Sequence, residues 1–244
     1  MRTIRLHAEL PLVAGAELAL PPQAGEHAVR VLRLADGDPL VLFNGDGYDY
    51  HARILAIGKR DVTVQVTSRQ LLKNESPLPL ILAQGIARGD KMDLIVQKAT
   101  ELGVAGIVPL LTERSEVKLD PARAQKRLSH WRAVAASACE QCGRARIPGI
   151  QPATALSAWL DALPDNGSLR LALLPEGTLA CRELQFAGTG GVLVVGPEGG
   201  LGERDIAILR DAGFKGLQLG PRVLRTETAG MAALASLQAL HGDG

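Results

Sequence analysis

The fold of this 244-residue chain is decided by two stretches near its end, GVLVVGPEGGLGERD (residues 191–205) and FKGLQLGPRVLRTETAG (residues 214–230). Each has an apolar run, then Gly-Pro, then a polar turn that opens a helix. Residues 192–195 show no alternation of apolar and polar positions, which predicts a strand buried on both faces. Pro197 cannot donate to a central ladder, so the strand is expected to end there. Two such turns at the carboxyl ends of strands in one α/β sheet predict a ligand site.

The composition of the two turns supports this interpretation. Gly199 and Gly200 allow a positive φ or a close approach of a ligand to the backbone. Glu203 and Asp205 fall in the first turn of the next helix, where the helix dipole favours carboxylates, and Thr226 is predicted to cap an Ala-rich helix. Neither turn is a Walker A motif or a G-x-G-x-x-G fingerprint. Ordinary strand-to-helix connections remain an alternative, and from these residues alone the specificity of the pocket is open.

Together the two stretches resemble the paired signature of the SPOUT class of RNA methyltransferases, through GPEGGL at 196–201 and LGPRVLRTETA at 219–229. Within that class the chain is most similar to the bacterial RsmE family, which methylates N3 of a uridine in 16S ribosomal RNA. The resemblance implies an α/β fold: a SPOUT-type domain with a parallel sheet and a trefoil knot, preceded by a small PUA-like β-barrel. It also implies a homodimer, because the knot loops of this class are completed by a partner chain.

The resemblance further implies that S-adenosylmethionine (SAM) is held by the two loops and by the LLPE segment, residues 173–176, which ends a third strand. The residues expected to bind the cofactor are Leu173, Leu174, Gly196, Pro197, Glu198, Gly199, Gly200, Leu219, Gly220, Val223, Leu224, Arg225, Thr228 and Ala229. Methyl transfer from a sulfonium requires the acceptor to lie in line with the S–CH₃ bond, so positioning is the main catalytic effect and no metal is expected.

Three side chains are candidates for catalysis. Arg225 is expected to stabilise the negative charge that develops on the uracil carbonyl oxygens. Glu198 or Glu227 is expected to orient the base or to accept the N3 proton, and the sequence does not distinguish between them. Glu227 also falls in the first turn of a helix, where stabilisation of the helix dipole is a sufficient explanation for a carboxylate.

Residues 1–70 are predicted to form a small antiparallel barrel. Short apolar or alternating runs are separated by turn signals such as Asn44-Gly45-Asp46-Gly47, and one short helix is expected at about residues 25–32. The segment HAVRVLRLADGD, residues 27–38, resembles the PUA-like domain that opens this family, which implies that Arg30 and Arg33 bind RNA. A basic rim on a barrel is the competing interpretation.

Residues 71–79, LLKNESPLP, are predicted to be a linker to a second domain at 80–244. The segment KMDLIVQKATELGV resembles the strip that faces RNA in the family, which implies that Lys91 and Lys98 bind RNA; Arg144, which follows the longest predicted helix, is a further predicted RNA contact. Residues 86–150 carry 11 Lys or Arg against 7 Asp or Glu, although the net charge of the whole chain is only +1. A solvated helix surface explains this excess equally well.

Other features limit the class of protein. The three cysteines suit a reducing cytoplasm, and no signal peptide is expected from the first residues, MRTIRLHAEL. No apolar run reaches the length needed to span a bilayer. The pair Cys139 and Cys142 lacks the second pair of a zinc site, so either packing or exposure to solvent is expected for it. The final helix, predicted over 226–241, is rich in Ala and Gly, which fits either tight internal packing or a dimer contact.

Three functions remain in competition: a SAM-dependent uridine-N3 methyltransferase of 16S rRNA, a SPOUT enzyme that acts on another RNA, and a non-enzymatic RNA-binding factor with a vestigial pocket. The intact glycines of the first loop, together with Arg225 and Glu227, favour an enzyme. The substrate is expected to be 16S rRNA within a small-subunit particle.

Overall fold

The computed structural model describes residues 4–59, 61–117, 120–186 and 190–243 of the chain. They form two compact units. Unit 1 contains the residues up to Glu75 together with Ala136–Ile147, and unit 2 contains Ser76–Ala135 and the residues from Pro148 onward. The predicted domain bounds, with a linker at 71–79, stay a prediction.

Unit 1 is built on a five-stranded sheet in the order β1-β3-β4-β5-β2. The strands are β1 (Arg5–His7), β2 (Glu17–Ala19), β3 (Pro39–Phe43), β4 (Tyr48–Ile57) and β5 (Val62–Leu71). Only the β1–β3 pair among these is parallel. The predicted short helix is present as α1 (Pro22–Glu26), followed by a π-helical turn at His27–Val31. Alternate positions of β4 and β5, such as Ile54 and Val64, point into the core because side chains alternate along a strand.

Unit 2 is built on a seven-stranded parallel sheet in the order β12-β10-β11-β6-β7-β8, with β9 paired to β7. The strands are β6 (Leu80–Gly85), β7 (Gly106–Leu111), β8 (Gly149–Ile150), β9 (Thr154–Ala155), β10 (Leu169–Leu173), β11 (Gly191–Val195) and β12 (Lys215–Leu217). All five residues of β11 are buried, which confirms the prediction of a strand covered on both faces. The α/β fold with a small N-terminal sheet is therefore confirmed, whereas the knot stays a prediction.

The helices connect these strands. They are α2 (Lys91–Glu101), α3 (Pro121–Cys142), α4 (Leu156–Asp161), α5 (Glu203–Asp211) and α6 (Thr226–His241), and a 3-10 turn covers Cys181–Glu183. Asp120 begins α3 as predicted, since its Oδ1 accepts a hydrogen bond from the backbone N–H of Arg123 at 2.9 Å. Gly103, with φ 78°, follows the end of α2. None of the described helices is both long and apolar enough to cross a bilayer.

The prediction that Thr226 caps α6 is wrong. The N-cap is Arg225, whose backbone is extended with φ −66° and ψ 153°, and Thr226 is the first helical residue. The Thr226 hydroxyl is buried and donates to the carbonyl oxygen of Gly196 at 2.6 Å. The hydroxyl therefore makes a tertiary hydrogen bond to the first glycine loop and does not cap the N-terminus of its own helix.

Residues 136–147 belong to the core of unit 1. Phe43, Cys139 and Ala145 are buried together and pack against Leu72 and Ile147. The backbone N–H of His7 in β1 also donates to Glu140 Oε1 at 2.9 Å. The end of α3 and the segment after it thus complete the unit that the N-terminal strands begin.

Candidate cofactor site

A cavity of about 130 Å³ opens at the carboxyl ends of β10 and β12. Seven of the residues predicted to bind a cofactor line it: Leu173, Leu174, Leu219, Gly220, Val223, Leu224 and Ala229. Pro175, Leu217, Gln218, Pro221 and Arg222 complete the lining. The other predicted cofactor residues, namely Gly196, Pro197, Glu198, Gly199, Gly200, Arg225 and Thr228, are not among the lining residues.

The chemistry of this cavity suits an uncharged ring with polar edges. Its walls are mostly aliphatic, and Gly220 takes a left-handed backbone with φ 74°, which leaves the turn without a side chain. Within the described part of the chain, no backbone N–H of residues 222–225 donates to another backbone group, so these donors are available to a ligand. Adenine is a ring of this kind, so the cavity fits the adenine part of SAM.

The first glycine loop is a compact turn after β11. Gly200 has φ 71°, and a Cβ on Gly196 would lie 2.8 Å from the carbonyl carbon of Gly200, so the loop closes on itself. Arg114, in the loop after β7, donates from Nη1 to the Gly199 carbonyl at 3.1 Å. The loop is thus held from outside by the neighbouring strand connection.

Glu198 is a carboxylate with two hydrogen-bond donors on one oxygen. Its Oε1 accepts from the backbone N–H of Arg88 at 3.0 Å and from Lys91 Nζ at 3.1 Å. Partial burial alone would raise the pKa of Glu198, but the Arg88 N–H, its own backbone N–H and the Lys91 ammonium outweigh burial and hold the pKa below its usual value. A carboxylate held in this way is a weak base.

Glu227 lies in a different environment. It occupies the first turn of α6 and is half-buried. Its Oε2 is buried and has no hydrogen-bond partner among the residues that the structure describes. A buried carboxylate oxygen without a donor is destabilising, so a hydrogen bond from a ligand to this oxygen would be favourable. Of the two carboxylates predicted to act as the general base, Glu227 is the one with a buried acceptor oxygen that lacks a partner among the described residues.

Arg225 combines a fixed backbone with an exposed side chain. Its carbonyl oxygen accepts from the backbone N–H groups of Thr228 at 2.9 Å and Ala229 at 2.8 Å. The residue therefore leaves the cavity-lining loop at a defined position, immediately before Thr226 and Glu227. A guanidinium in this position can donate hydrogen bonds to a nucleobase that is bound beside the cofactor.

The predicted RNA contacts fall in both units. In unit 1, Arg30 is exposed and pairs with Glu26 at 2.6 Å. Arg33 is also exposed and, among the described residues, is the one non-glycine residue with a left-handed backbone, φ 56°. In unit 2, Lys91 pairs with Glu198 and Lys98 pairs with Glu101 at 2.8 Å.

Arg144 differs from these surface groups. It is 5% exposed and pairs with Glu75 at 2.6 Å within unit 1. Because this guanidinium is buried and already paired with a carboxylate of its own unit, it is poorly placed to contact a ligand at the surface. Its RNA contact stays a prediction, and its burial argues against it.

The cysteine pair packs as expected. Cys139 is buried and its thiol lies 3.6 Å from the Arg146 carbonyl. A hydrogen bond with Cys142 and burial raise the pKa of the Cys139 thiol, which keeps it protonated. Over the residues with described positions, no group of three or more His, Cys, Asp or Glu side chains could hold a metal ion.

The sequence analysis missed three functional candidates. Arg222 and Gln218 line the cavity. The sequence feature that could have identified them is their position inside the second signature stretch. Gln84 is fully buried and contacts both loop regions. Its signal is a polar amide in the otherwise apolar run LILAQG of β6.

Family models match both parts of the chain. An RNA methyltransferase domain matches residues 74–238, and an RNA methyltransferase PUA domain matches residues 20–67. The protein named ribosomal RNA small subunit methyltransferase E from Buchnera aphidicola is 32% identical over 99% of this chain and 98% of its own length. The protein of the same name from Bacillus subtilis is 31% identical over 89% of each chain.

Solved structures extend the similarity to the whole fold. A methyltransferase from Legionella pneumophila in complex with SAM is 40% identical, with a TM-score of 0.96 over 100% of both chains. Ribosomal RNA small subunit methyltransferase E from Neisseria gonorrhoeae, bound to S-adenosyl methionine, is 35% identical, with a TM-score of 0.91 over 99% of both chains.

Proposed function

The chain belongs to the RNA methyltransferase family of the proteins named ribosomal RNA small subunit methyltransferase E, and from this membership we propose that it methylates N3 of a uridine in 16S rRNA. The broader activity is SAM-dependent methylation of small-subunit ribosomal RNA. The observation that carries the proposal is the cavity at the ends of β10 and β12, because it is lined by the second signature loop in a fold that SAM-bound relatives share over their full length.

The cofactor-binding part of the proposal rests on the loop after β12. Residues 217–224 and Ala229 supply aliphatic walls and backbone donors. The first glycine loop, Gly196–Gly200, is proposed to bound the same site from the side of β11. Glu198 is proposed to act there as an anchor that holds Lys91 rather than as a base.

In the proposed reaction, bound SAM supplies a methyl group on a sulfonium sulfur. Arg225 donates hydrogen bonds to the uracil carbonyl oxygens, where negative charge accumulates as N3 loses its proton. Glu227 accepts that proton through Oε2. The N3–H and S–CH₃ bonds break and the N3–CH₃ bond forms. The electron pair of the S–CH₃ bond stays on sulfur, which gives S-adenosylhomocysteine, and Glu227 passes the proton to solvent.

The remaining parts of the proposal concern the setting of the reaction. The substrate is 16S rRNA within a small-subunit particle in the cytoplasm, and the enzyme is a homodimer. Val223, at the cavity, is 83% exposed, and a partner chain docked there would cover this apolar side chain. Arg30, Arg33, Lys91 and Lys98 are the proposed RNA contacts.

The test uses a bacterial strain that lacks its own enzyme of this family. Its 16S rRNA is digested to nucleosides, and 3-methyluridine is measured by mass spectrometry with this chain or an empty vector supplied in trans. The chain should restore 3-methyluridine, while the other methylated nucleosides stay constant as an internal control. A different restored nucleoside, or restoration in another RNA, would replace the proposal with that of a SPOUT enzyme of different specificity.

A further inference from the structure

Gln84 is a buried amide at the carboxyl end of β6, the strand between β11 and β7. Its side chain is 0% exposed although the strand around it is apolar. Its Nε2 lies 2.9 Å from the Gly85 carbonyl, 3.3 Å from the Gly196 carbonyl and 2.9 Å from Thr226 Oγ1. An amide nitrogen has two hydrogens, so these three acceptors satisfy it completely.

This amide joins the two signature loops. Gly196 begins the first loop, and Thr226 begins α6 directly after the second loop. The Thr226 hydroxyl itself donates to the Gly196 carbonyl at 2.6 Å, so the three groups form one buried network. One turn further along α6, Ala229 lines the cavity. The network therefore connects the first loop to the wall of the cofactor cavity.

The backbone next to Gln84 is in close contact with the first glycine loop. A Cβ on Gly85 would lie 2.5 Å from Pro197 Cδ and 2.7 Å from Pro197 N. On the other side, a Cβ on Gly230 would lie 3.5 Å from Gln84 Oε1. The strand and the first loop are thus packed backbone to backbone at this point, and α6 contacts the side chain of Gln84.

Stability alone is a weak explanation for an amide at this position. Gln84 Oε1 is buried and has no hydrogen-bond partner among the described residues. A buried acceptor without a donor is destabilising and offsets part of what the hydrogen bonds from Nε2 contribute. Those hydrogen bonds go to the Gly85 and Gly196 carbonyls and to Thr226, so their main effect is to hold these groups together.

We propose that Gln84 is a positioning residue, which fixes the first glycine loop against the start of α6 so that the cofactor cavity is preordered for SAM. The residue is not a lining residue of the cavity and acts through Gly196 and Thr226. The proposal rests on SAM being the ligand of this cavity. Preordering improves affinity because a bound ligand then does not have to order the loops.

The first experiment compares two glutamines in unit 2. Gln84→Met removes the network and keeps the volume of the side chain. Gln238→Met is the matched control, because Gln238 is also buried, at 5% exposure, and its hydrogen bonds go to Ser76 and Leu78. Calorimetry should show the Kd for SAM rising about tenfold for Gln84→Met and staying within about twofold for Gln238→Met.

The second experiment tests the same network from the side of α6. Thr226→Val removes the hydroxyl and should weaken SAM binding as Gln84→Met does, whereas Thr226→Ser keeps the hydroxyl and should lose much less. The double variant Gln84→Met/Thr226→Val should bind SAM about as well as either single variant, because the two changes break one shared interaction.

The outcomes separate the possible failures. Equal losses of melting temperature for Gln84→Met and Gln238→Met, with the Kd for SAM unchanged in both, would assign Gln84 a purely structural role and overturn the proposal. Absence of SAM binding by the unmodified chain would instead defeat the cofactor assignment. If Gln84→Met does not fold, equal Kd values for Thr226→Val and Thr226→Ser overturn the proposal on their own.

Discussion

Glu198 and Glu227 show how much the environment of a residue decides its chemistry. Both carboxylates lie in the signature loops, and the sequence offers no reason to prefer either as a base. In the structure Glu198 accepts two hydrogen bonds from positive or polar donors, whereas Glu227 keeps a buried oxygen without a partner among the described residues. The assignment of Glu227 as the proposed base depends on those tertiary contacts.

The catalytic role of Arg225 leads to a prediction at the same scale. Arg225→Ala should lower the rate of single-turnover methylation by about 10²–10³, because it removes a donor aimed at the developing oxyanion. The Kd for SAM should change little, since Arg225 does not line the cavity. Arg225→Lys should recover only part of the rate, because one ammonium does not match two carbonyl oxygens. Parallel losses of rate and SAM affinity in Arg225→Ala would show that the residue only braces the loop.

The lowered pKa of Glu198 predicts a pH dependence of stability. A carboxyl whose pKa is lower in the folded state contributes stability above its unfolded pKa, and that contribution is lost as the pH falls through the folded value. The free energy of unfolding of the unmodified chain should therefore fall on acidification below the ordinary carboxyl value of 4.5. Glu198→Gln should weaken this fall, as measured by urea unfolding at pH 7 and pH 3.5. Identical acid slopes for both proteins would mean that Glu198 does not contribute.

At the scale of elements, the sequence predicts the strands and helices of unit 2 well. The apolar run of β11, the Asp-Pro start of α3 and the bounds of α6 are all recovered, because each has a signal within a few neighbouring residues. The cap of α6 is not recovered. Thr226 has the composition of an N-cap, but its hydroxyl meets Gly196, which is distant in sequence. Local propensity cannot anticipate that contact.

The candidate site is predicted only in part for the same reason. The second loop and the LLPE segment supply seven lining residues named from the sequence. Arg222 and Gln218 belong to the same stretch but lack an individual signal. Gln84 lies far from both loops in sequence, so only the pairing of β6 with β11 reveals its position beside them.

The close approach of β6 to the first loop gives a prediction for glycine. Gly85→Ala should destabilise the fold and weaken SAM binding, because its Cβ would lie 2.5 Å from Pro197 Cδ and force the loop to move. Gly149→Ala is the control: Gly149 also lies in a strand of unit 2, and a Cβ there meets nothing within 4 Å. Thermal unfolding with and without SAM distinguishes them, and equal midpoints for the two variants would contradict the prediction.

At the scale of the whole molecule, the predicted RNA contacts divide into exposed and buried groups. Arg33→Ala should weaken 16S rRNA binding and lower the slope of log K against log salt by about 1, because one phosphate contact is lost. Its Kd for SAM should stay unchanged. Arg210→Ala, an exposed change on α5 outside the predicted set, is the control. An unchanged salt slope for Arg33→Ala would mean that this arginine is only part of the barrel rim.

Arg144→Ala should behave differently from Arg33→Ala. It leaves Glu75 without its partner in unit 1, which should lower the free energy of unfolding by on the order of 3 kcal/mol. Any loss of RNA affinity should then follow the fraction of unfolded protein rather than the salt concentration. A full salt-slope effect at unchanged stability would restore Arg144 as a direct RNA contact.

The composition of unit 1 has a consequence for the timing of synthesis. Its strands leave the ribosome first, but Cys139 and Ala145, which cover Phe43, are translated only after residues 76–135. At about 5–20 residues per second, the nascent sheet waits for several seconds with this apolar surface uncovered. Unit 1 is therefore completed only after residues 76–135 of unit 2 have been translated. A chain released before that point would present Phe43 to solvent and to chaperones.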